Sequence, residues 1–405
     1  MSKPRPRRFG VIAHVGMGNI GDELLFAAMV SLLRGVEPEA ELVAFTMDPE
    51  RTLSMHDIAA YPVRPVLPRP TPTFGAKARL TRWRDRAALL GSELDFLRKA
   101  VSRVRKLDAI FVAGSSNLIE AYGGWRGFPL AFARWMAAAS VCRVPVHFVS
   151  MGAEDIKTAQ SRALLKWVLA RARTVAVRDD VSLRRLRDMG VTRQIALIPD
   201  LAFGLPLECA PPVHEPRVVG VNPIPYYLGA YWRANDPARF KRYLDALSGF
   251  CLHVLRQGYR LVLYGTTAWA DGIAIGPLTE SIRANASADE LERVSREEVH
   301  TPDDLWRVLA RVDVVVASRY HGVVSALMRP RPVIGIAYEH KTTDLMQSFG
   351  LGDFSLPIET LHADALIKSF EALTADLARF YRIADAGNTE RRLELKNHVR
   401  TLAAR

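Results

Sequence analysis

The segment Arg319–Gly322, with the sequence Arg-Tyr-His-Gly, carries the strongest chemical signal in the chain. It follows the apolar run Val312–Ala317, which predicts a buried strand, and it leads into the helical pattern His321–Leu327. An arginine and a histidine two residues apart at a strand end, beside the N–H groups of a helix, predict an anion site that holds a titratable group. A lone histidine is more often structural, but the strand end and the preceding arginine favour function here.

Three further polar side chains follow the next predicted strand, Pro332–Ile336. They are Tyr338, His340 and Lys341. Because the carboxyl ends of parallel strands lie at one edge of a sheet, we expect these residues to line the same cleft as His321.

Arg178 belongs to a second polar cluster, Val177–Asp180, at the end of another predicted strand. Its guanidinium can bind a carboxylate or a phosphate through two parallel hydrogen bonds. The alternative is an internal ion pair with Asp179 or Asp180, while one of these aspartates caps the following helix. The spacing alone favours the internal ion pair.

The segment Gly16–Gly21 satisfies the pattern G-x-G-x-x-G between a predicted strand and a predicted helix, and Asp48 ends the next strand. Such loops hold the pyrophosphate of a dinucleotide on backbone N–H groups. Asp22 at the start of the helix would repel a phosphate there, which argues against a nicotinamide or flavin cofactor. Asn19 and Asp22 instead offer polar groups to a sugar hydroxyl.

Several enzyme classes lose their main support. The histidines show no metal-ligand spacing, and the motifs H-E-x-x-H, C-x-x-C, G-x-S-x-G and the P-loop are absent from the sequence. We therefore expect no metal and no cofactor. Cys142, Cys209 and Cys251 are too few and too widely spaced for a disulfide framework, which favours a cytoplasmic protein. We expect neither a signal peptide nor a membrane-spanning helix, which needs about 20 apolar residues.

The 405 residues carry a formal charge of +12, and 49% of them are hydrophobic, so we expect a globular protein of two or three domains. The positive charge fits nucleic acid, an anionic lipid surface or a small polyanionic substrate, but a high-GC genome also favours arginine. The basic segment Arg79–Lys106 lacks the aromatic pattern of nucleic-acid binding, so we expect no nucleic-acid partner. A solvated helix face is the simplest interpretation of this segment, and contact with an anionic membrane surface is the alternative.

The elements that would position the polar clusters alternate between strand and helix. The predicted strands are Phe9–Val15, Leu42–Thr46, Asp108–Ala113, Val144–Val149, Val175–Val177, Val218–Val221, Arg260–Tyr264, Val312–Ala317 and Pro332–Ile336. The predicted helices are Asp22–Leu33, Ser161–Arg171, Asp180–Met189, Pro237–Gln257, Asp303–Ala310 and His321–Leu327, with further helices across Ala363–Arg405. One or two helices are predicted over Arg79–Lys106. The proline-rich stretches Pro62–Pro72 and Gly204–Arg217 predict a loop and an interdomain linker.

This alternation predicts an α/β protein with two Rossmann-like domains that face each other across a ligand cleft. We expect an N-terminal domain over residues 1–207 and a C-terminal domain over residues 208–360. C-terminal helices over residues 361–405 are expected to pack back on the body.

The order of the motifs resembles the polysaccharide pyruvyl transferase family. The resemblance extends from about Gly10 to Gly352, and the segments that carry it are Gly18–Asp22, Val177–Ser182, Pro199–Phe203, Ser318–His321 and Tyr338–Lys341. It implies a fold like that of the GT-B glycosyltransferases, with phosphoenolpyruvate as the donor instead of a nucleotide sugar. The implied acceptor is a pair of sugar hydroxyls in an exopolysaccharide, a capsule or a cell-wall precursor, lipid-linked precursors included. The product would be a pyruvate ketal.

Carried over onto this sequence, the resemblance gives each cluster a role. Arg319 and His321 are expected to bind and activate phosphoenolpyruvate, and Arg178 is expected to help hold it. His321 suits a general acid, and Lys341 joins the donor-binding residues because it follows a neighbouring strand. The base is expected to be Asp22 or Glu154. The residues expected to bind the acceptor, mainly in the N-terminal domain, are Asn19, Asp22, Ser116, Asn117 and Glu154.

Three positions depart from the family pattern. They are the loops Ala113–Ser116 and Ser150–Glu154, and Pro330 before the last predicted strand. The two loops lie where we expect the acceptor.

Two other interpretations stay open. A GT-B nucleotide-sugar glycosyltransferase would place a glutamate–alanine pair after its histidine and glycine, whereas this sequence has serine and alanine at 325 and 326. A non-catalytic scaffold in polysaccharide assembly would not need Arg178, Arg319 and His321. The expected partners are phosphoenolpyruvate and a glycan acceptor. Peripheral contact with the inner face of the plasma membrane and pairing with a second copy of the chain are left open.

Overall fold

The chain divides into two compact units, each built around its own parallel sheet. The computed structural model describes residues 5–65, 78–120, 123–206, 211–229, 232 and 234–404. Unit 1 comprises residues 1–17, 25–201 and 395–405, and unit 2 comprises residues 18–24 and 202–394. The predicted α/β class is therefore confirmed. The predicted loop Pro62–Pro72 and the predicted linker Gly204–Arg217 lie partly outside the described residues, and Cys209 lies outside them.

Unit 1 contains a seven-stranded sheet in the order β3-β2-β1-β4-β5-β6-β7, and all its pairings are parallel. Its strands are β1 (Arg8–Ile12), β2 (Glu41–Thr46), β3 (Ala60–Pro62), β4 (Ala109–Ala113), β5 (Val146–Met151), β6 (Thr174–Val177) and β7 (Ala196–Leu197). The two central strands β4 and β5 are buried along their whole length. Helices cover both faces of such a sheet, which explains why these strands read as continuous apolar runs.

Six helices accompany this sheet within the residues that the structure describes. They are α1 (Ile20–Val36), α2 (Pro49–His56), α3 (Ala78–Val104), α4 (Phe128–Cys142), α5 (Ala159–Arg171) and α6 (Asp180–Asp188). The predictions of α1, α3, α5 and α6 are confirmed, whereas α2 and α4 were not predicted. Helix α4 is apolar around most of its circumference, so it lacks the one-sided pattern that marks a surface helix. Its Trp135 is 1% exposed and donates a hydrogen bond from Nε1 to the carbonyl oxygen of Val63 at 2.9 Å.

Unit 2 contains a six-stranded parallel sheet in the order β10-β9-β8-β11-β12-β13. Its strands are β8 (Val218–Asn222), β9 (Arg260–Tyr264), β10 (Val294–Glu297), β11 (Val314–Ala317), β12 (Val333–Ala337) and β13 (Ser355–Pro357). The strand order reverses between β8 and β11. In open α/β sheets ligands bind at this switch point, beyond the carboxyl ends of the strands.

In the described part of the chain, eight helices accompany the second sheet. They are α7 (Pro237–Arg256), α8 (Ala268–Asn285), α9 (Ala288–Leu291), α10 (Pro302–Arg311), α11 (Tyr320–Met328), α12 (His340–Ser348), α13 (Ala363–Ala375) and α14 (Leu377–Ala403). The last of these continues into the part of the chain that belongs to unit 1. Within the described residues, no helix is both long enough and apolar enough to span a bilayer.

Helix α8 forms between Tyr264 and Asp303, where the sequence predicts neither a helix nor a strand. The helix contains Pro277 and two glycines, residue types that disfavour helices. It forms nevertheless because four apolar side chains spaced four residues apart are fully buried: Ala270, Ala274, Leu278 and Ile282. Burial of this stripe outweighs the weak local propensity.

Candidate active site

Arg319 and His321 lie where β11 ends and α11 begins. Strand β11 is buried along its whole length between β8 and β12, and Arg319 is the N-cap residue of α11. The first N–H groups of a helix have no intrahelical partner, so they face whatever ligand lies at this end. The structure thus confirms the predicted junction of strand and helix.

Asp271, in the first turn of α8, fixes the Arg319 side chain. Arg319 donates to Asp271 Oδ1 from Nε at 2.8 Å and also from Nη2. The other carboxylate oxygen, Oδ2, accepts from the backbone N–H groups of Thr266 at 2.8 Å and Thr267 at 2.9 Å. The side chains of Arg319 and Asp271 are only 8% and 1% exposed. The expected donor-binding arginine therefore keeps one edge of its guanidinium on a buried carboxylate.

His321 packs against the glycine-rich segment 18–21, which belongs to the same unit. A methyl group at Gly21 would lie 2.0 Å from His321 Nδ1 and 2.4 Å from Cγ, so only glycine allows this approach. The imidazole also meets the Tyr320 ring edge-on, with the ring centroids 5.2 Å apart. The half-buried ring therefore contacts both the backbone at Gly21 and the aromatic ring of Tyr320.

We expect Gly21→Ala to displace the imidazole. A new methyl group this close forces either the ring or the segment to move, and a 1 Å shift of a reacting group can lower a rate by about 10²-fold. Gly35→Ala is the matched control, because Gly35 lies in the same helix and a methyl group there meets no atom within 4 Å. Turnover and the unfolding midpoint would be measured for both. Equal turnover of the two variants would contradict the role of the close contact.

Hydrogen bonds join the segment 18–21 to the loop after β9. The N–H of Ile20 donates to the carbonyl oxygen of Thr266 at 2.9 Å, and Asn19 forms an antiparallel bridge with Thr267. Asn19 Oδ1 accepts from the N–H of Gly21 at 3.0 Å. The structure therefore uses the expected acceptor ligand Asn19 to shape this segment. Asp22, the expected base, follows it directly and is 5% exposed.

Lys341 lies in the first turn of α12. Its Nζ is 3.0 Å from Glu339 Oε2 and lies 5.7 Å and 5.4 Å from the ring centroids of Tyr320 and Tyr338. Because Tyr320 also contacts His321, a continuous series of contacts joins Lys341 to the imidazole. Helix α12 begins at His340, so the three polar residues predicted after Pro332–Ile336 do follow a strand end in the same sheet as β11.

Arg178 belongs to unit 1, at the end of β6. It donates from Nη1 to Asp200 Oδ2 and from Nη2 to Ser116 Oγ, both at 2.9 Å, and its Nε lies 3.6 Å from Asp179 Oδ2. The Arg178 and Asp200 side chains are 3% and 2% exposed. The internal ion pair favoured by the spacing is thus present, but its main partner is Asp200 rather than Asp179 or Asp180. Asp179 caps α6, as one of these aspartates was expected to do.

The remaining expected acceptor ligands lie on the loops after β4 and β5 in unit 1. Ser116 contacts Arg178, Asn117 is 3% exposed, and Glu154 is exposed. Ser115 and Ser150 have φ angles of 67° and 56°, in the left-handed region that favours glycine. Such strain persists only where the surroundings impose it, and it often accompanies functional sites.

Sequence reasoning missed Asp271 and Asp200, the two carboxylates that pair with the arginines. Asp200 lies in the recognised segment Pro199–Phe203, and Asp271 stands at the start of a helix that local propensity does not reveal. No spacing rule links either aspartate to its arginine, because 48 and 22 residues separate the partners.

The comparisons with known proteins agree with this architecture. The chain is 20% identical to the amylovoran biosynthesis protein AmsJ of Erwinia amylovora over 285 residues, which cover 67% of each protein. Among solved structures, Alr3699/HepE of Anabaena in complex with UDP has a TM-score of 0.59 at 13% identity, covering 98% of this chain and 100% of that one. A putative UDP-N-acetylglucosamine 2-epimerase of Listeria monocytogenes has a TM-score of 0.58 at 13% identity, covering 98% and 95%. These likenesses confirm the GT-B-like fold.

The sequence also matches a protein family directly. Residues 19–340 match the family described as polysaccharide pyruvyl transferase. This range includes the segment that contacts His321, the buried arginine–aspartate pairs of both units and the start of α12. The chain belongs to the polysaccharide pyruvyl transferase family.

Proposed function

We propose that the chain transfers a pyruvyl group from phosphoenolpyruvate to two hydroxyls of a sugar in a polysaccharide or lipid-linked oligosaccharide precursor. Family membership supports a transferase of polysaccharide biosynthesis. The observation that carries the finer proposal is the junction of β11 and α11, where Asp271 fixes the guanidinium of Arg319 and the imidazole of His321, two residues later, packs against Gly21.

Arg319 and the first N–H groups of α11 suit the donor because phosphoenolpyruvate carries a carboxylate and a phosphate on a small frame. Hydrogen bonds to charged groups contribute about 1.5–3 kcal/mol each. The ion pair with Asp271 offsets the charge of Arg319, so its contribution rests on N–H groups held in a fixed direction rather than on net charge. Lys341, held by Glu339, is proposed to supply a further N–H donor.

His321 is proposed as the general acid. As the imidazolium, it gives a proton to the terminal carbon of the donor, which becomes a methyl group, and one sugar hydroxyl adds to the adjacent carbon. The base takes the proton of that hydroxyl. A second hydroxyl then attacks the same carbon, the bond to the phosphate oxygen breaks, and the proton of this hydroxyl leaves with the phosphate. The products are the ketal and inorganic phosphate. We propose Asp22 as the base because it follows Gly21, whose backbone contacts His321.

Ligand-induced stabilisation separates this proposal from a nucleotide-sugar glycosyltransferase. A ligand that binds the folded state raises its stability by mass action, by about 2.7 kcal/mol at a concentration of 100 Kd. We expect phosphoenolpyruvate to raise the unfolding midpoint of the full chain and a panel of UDP-sugars to leave it unchanged. Stabilisation by a UDP-sugar alone would favour the glycosyltransferase.

Catalysis needs a separate measurement, since a scaffold could bind the donor without reacting. Phosphoenolpyruvate, the protein and an extract of the organism's glycan precursors would be incubated together. We expect release of inorganic phosphate that depends on the extract, and a product whose mass has increased by one pyruvate ketal. No release with any acceptor fraction would favour a scaffold.

A further inference from the structure

The cation Arg64 lies half-buried in unit 1 against an aromatic ring. It follows β3 at the carboxyl edge of the sheet, and its guanidinium carbon lies 4.6 Å from the centroid of the Phe128 ring. Its Nε and Nη2 atoms are buried, and neither has a hydrogen-bond partner among the residues that the structure describes. Within the described part of the chain, no carboxylate forms an ion pair with it. Polar groups that are removed from water in proteins usually have hydrogen-bond partners, so these two buried N–H groups are candidates to bind a ligand.

The surroundings add positive charge rather than remove it. Burial lowers the pKa of the Arg64 guanidinium, and the nearby charge of Arg134 lowers this pKa further. Arg134 itself is balanced, because it donates to Glu93 Oε2 at 2.9 Å from Nε and to Oε1 from Nη2. Arginine stays protonated at neutral pH in proteins, so Arg64 carries a positive charge that no carboxylate of the described residues pairs with.

Two other elements meet Arg64 at the same aromatic ring. His14, which follows β1, places its ring centroid 4.9 Å from that of Phe128. Phe128 is the first residue of α4, a helix of 15 residues, and the N-cap Gly127 contributes no side-chain hydrogen bond. The positive end of α4 therefore lies beside Arg64 and His14, at the edge of the sheet where α/β proteins bind ligands.

We propose that Arg64, assisted by His14 and the start of α4, binds an oxyanion carried by the glycan acceptor, either a phosphate or a carboxylate. This inference rests on the proposed function, because it takes the second substrate to be a saccharide. A guanidinium offers two parallel N–H donors, which match either oxyanion. The nitrogens of Arg178, the other expected ligand-binding arginine of unit 1, are by contrast already engaged by Asp200 and Ser116.

Binding of simple sugars to the full chain tests the proposal without any donor present. The probes are glucose 1-phosphate, glucuronate and the neutral methyl glucoside, and affinities would be measured by calorimetry or ligand-observed NMR. We expect at least one anionic sugar to bind more tightly than methyl glucoside. If only glucose 1-phosphate binds more tightly, the oxyanion that Arg64 binds is a phosphate. If only glucuronate does, the oxyanion is a carboxylate, and tighter binding of both also supports the site. Equal affinity for all three sugars would overturn it.

Arg64→Gln should weaken the anionic sugar by about 10- to 100-fold, the effect of losing a charge-assisted hydrogen-bonded pair. Arg103→Gln is the matched control, because Arg103 is also half-buried in unit 1, over the Tyr61 ring at 4.0 Å, and its loss changes the net charge equally. We expect this control to bind like the wild type. Arg64→Lys keeps the charge without the forked geometry and should bind with intermediate affinity. Wild-type affinity in Arg64→Gln would overturn the proposal.

The donor gives a further readout. We expect the stabilisation by phosphoenolpyruvate to be unchanged in Arg64→Gln. If phosphoenolpyruvate competes with the anionic sugar and loses affinity in this variant, Arg64 binds the donor and the acceptor assignment falls. If phosphoenolpyruvate fails to stabilise even the wild type, the proposed function fails instead, so the two failures are distinguishable.

Discussion

Replacing His321 with glutamine should lower phosphoenolpyruvate-dependent phosphate release by about 10²- to 10⁴-fold, the usual contribution of a general acid. Glutamine keeps a polar side chain of similar reach against Gly21 but cannot deliver a proton. We therefore expect the variant to retain stabilisation by phosphoenolpyruvate. This separation of turnover from donor binding is what distinguishes an acid from a binding residue.

The control for this variant is His253→Gln. His253 is also half-buried in unit 2, but it lies in the last turn of α7. We expect its turnover to equal that of the wild type. Arg319→Ala should show the complementary behaviour, in which stabilisation by phosphoenolpyruvate is lost. A His321→Gln variant with the wild-type rate would remove the imidazole from the mechanism.

Asp271→Ala should be among the most destabilising substitutions in unit 2. It leaves the guanidinium of Arg319 buried without its carboxylate, and breaking a buried ion pair from one side typically costs about 3–5 kcal/mol. It also removes the acceptor for the N–H groups of Thr266 and Thr267. Denaturant unfolding followed by circular dichroism would measure the loss in free energy of unfolding.

An exposed ion pair in the same unit provides the comparison. Asp245 Oδ2 lies 2.7 Å from Lys241 Nζ, and the two side chains are 57% and 75% exposed. Asp245→Ala should therefore lower the free energy of unfolding by only a small fraction of the loss in Asp271→Ala. The double variant Arg319→Met with Asp271→Leu should regain much of the stability, because no unpaired charge remains, but not the donor binding. Equal stability of Asp271→Ala and Asp245→Ala would mean that the buried pair does not hold the site together.

The sequence was most informative where burial dictates the residue types. The central strands of both sheets are apolar runs that end in polar clusters, and Arg319 and His321 were located on that basis alone. Strand β10, with the sequence Val-Ser-Arg-Glu, was missed because it is an edge strand and only half-buried. A short polar segment of this kind has no pattern that separates it from a loop.

Partners distant in sequence could not be predicted in the same way. Asp271 could be located only from the fold, because α8 forms through burial of its stripe of small and apolar residues. Gly21 contacts His321, although 300 residues separate them in the sequence. The pattern G-x-G-x-x-G pointed to a phosphate loop, yet the close approach of an imidazole explains its last glycine better. The need for glycine at position 21 therefore comes from a tertiary contact with His321 and not from the local motif.

The grouping of residues 18–24 with unit 2 has a consequence for recombining halves of related enzymes. A chimaera joined only near residue 202 would take these residues from the wrong parent, although they bond to Thr266 and Thr267 and pack on His321. Swaps that test whether unit 1 selects the glycan should therefore replace unit 1 but leave residues 18–24 with the parent that supplies residues 202–394. Gly21 and His321 then come from the same parent, and their close contact is kept.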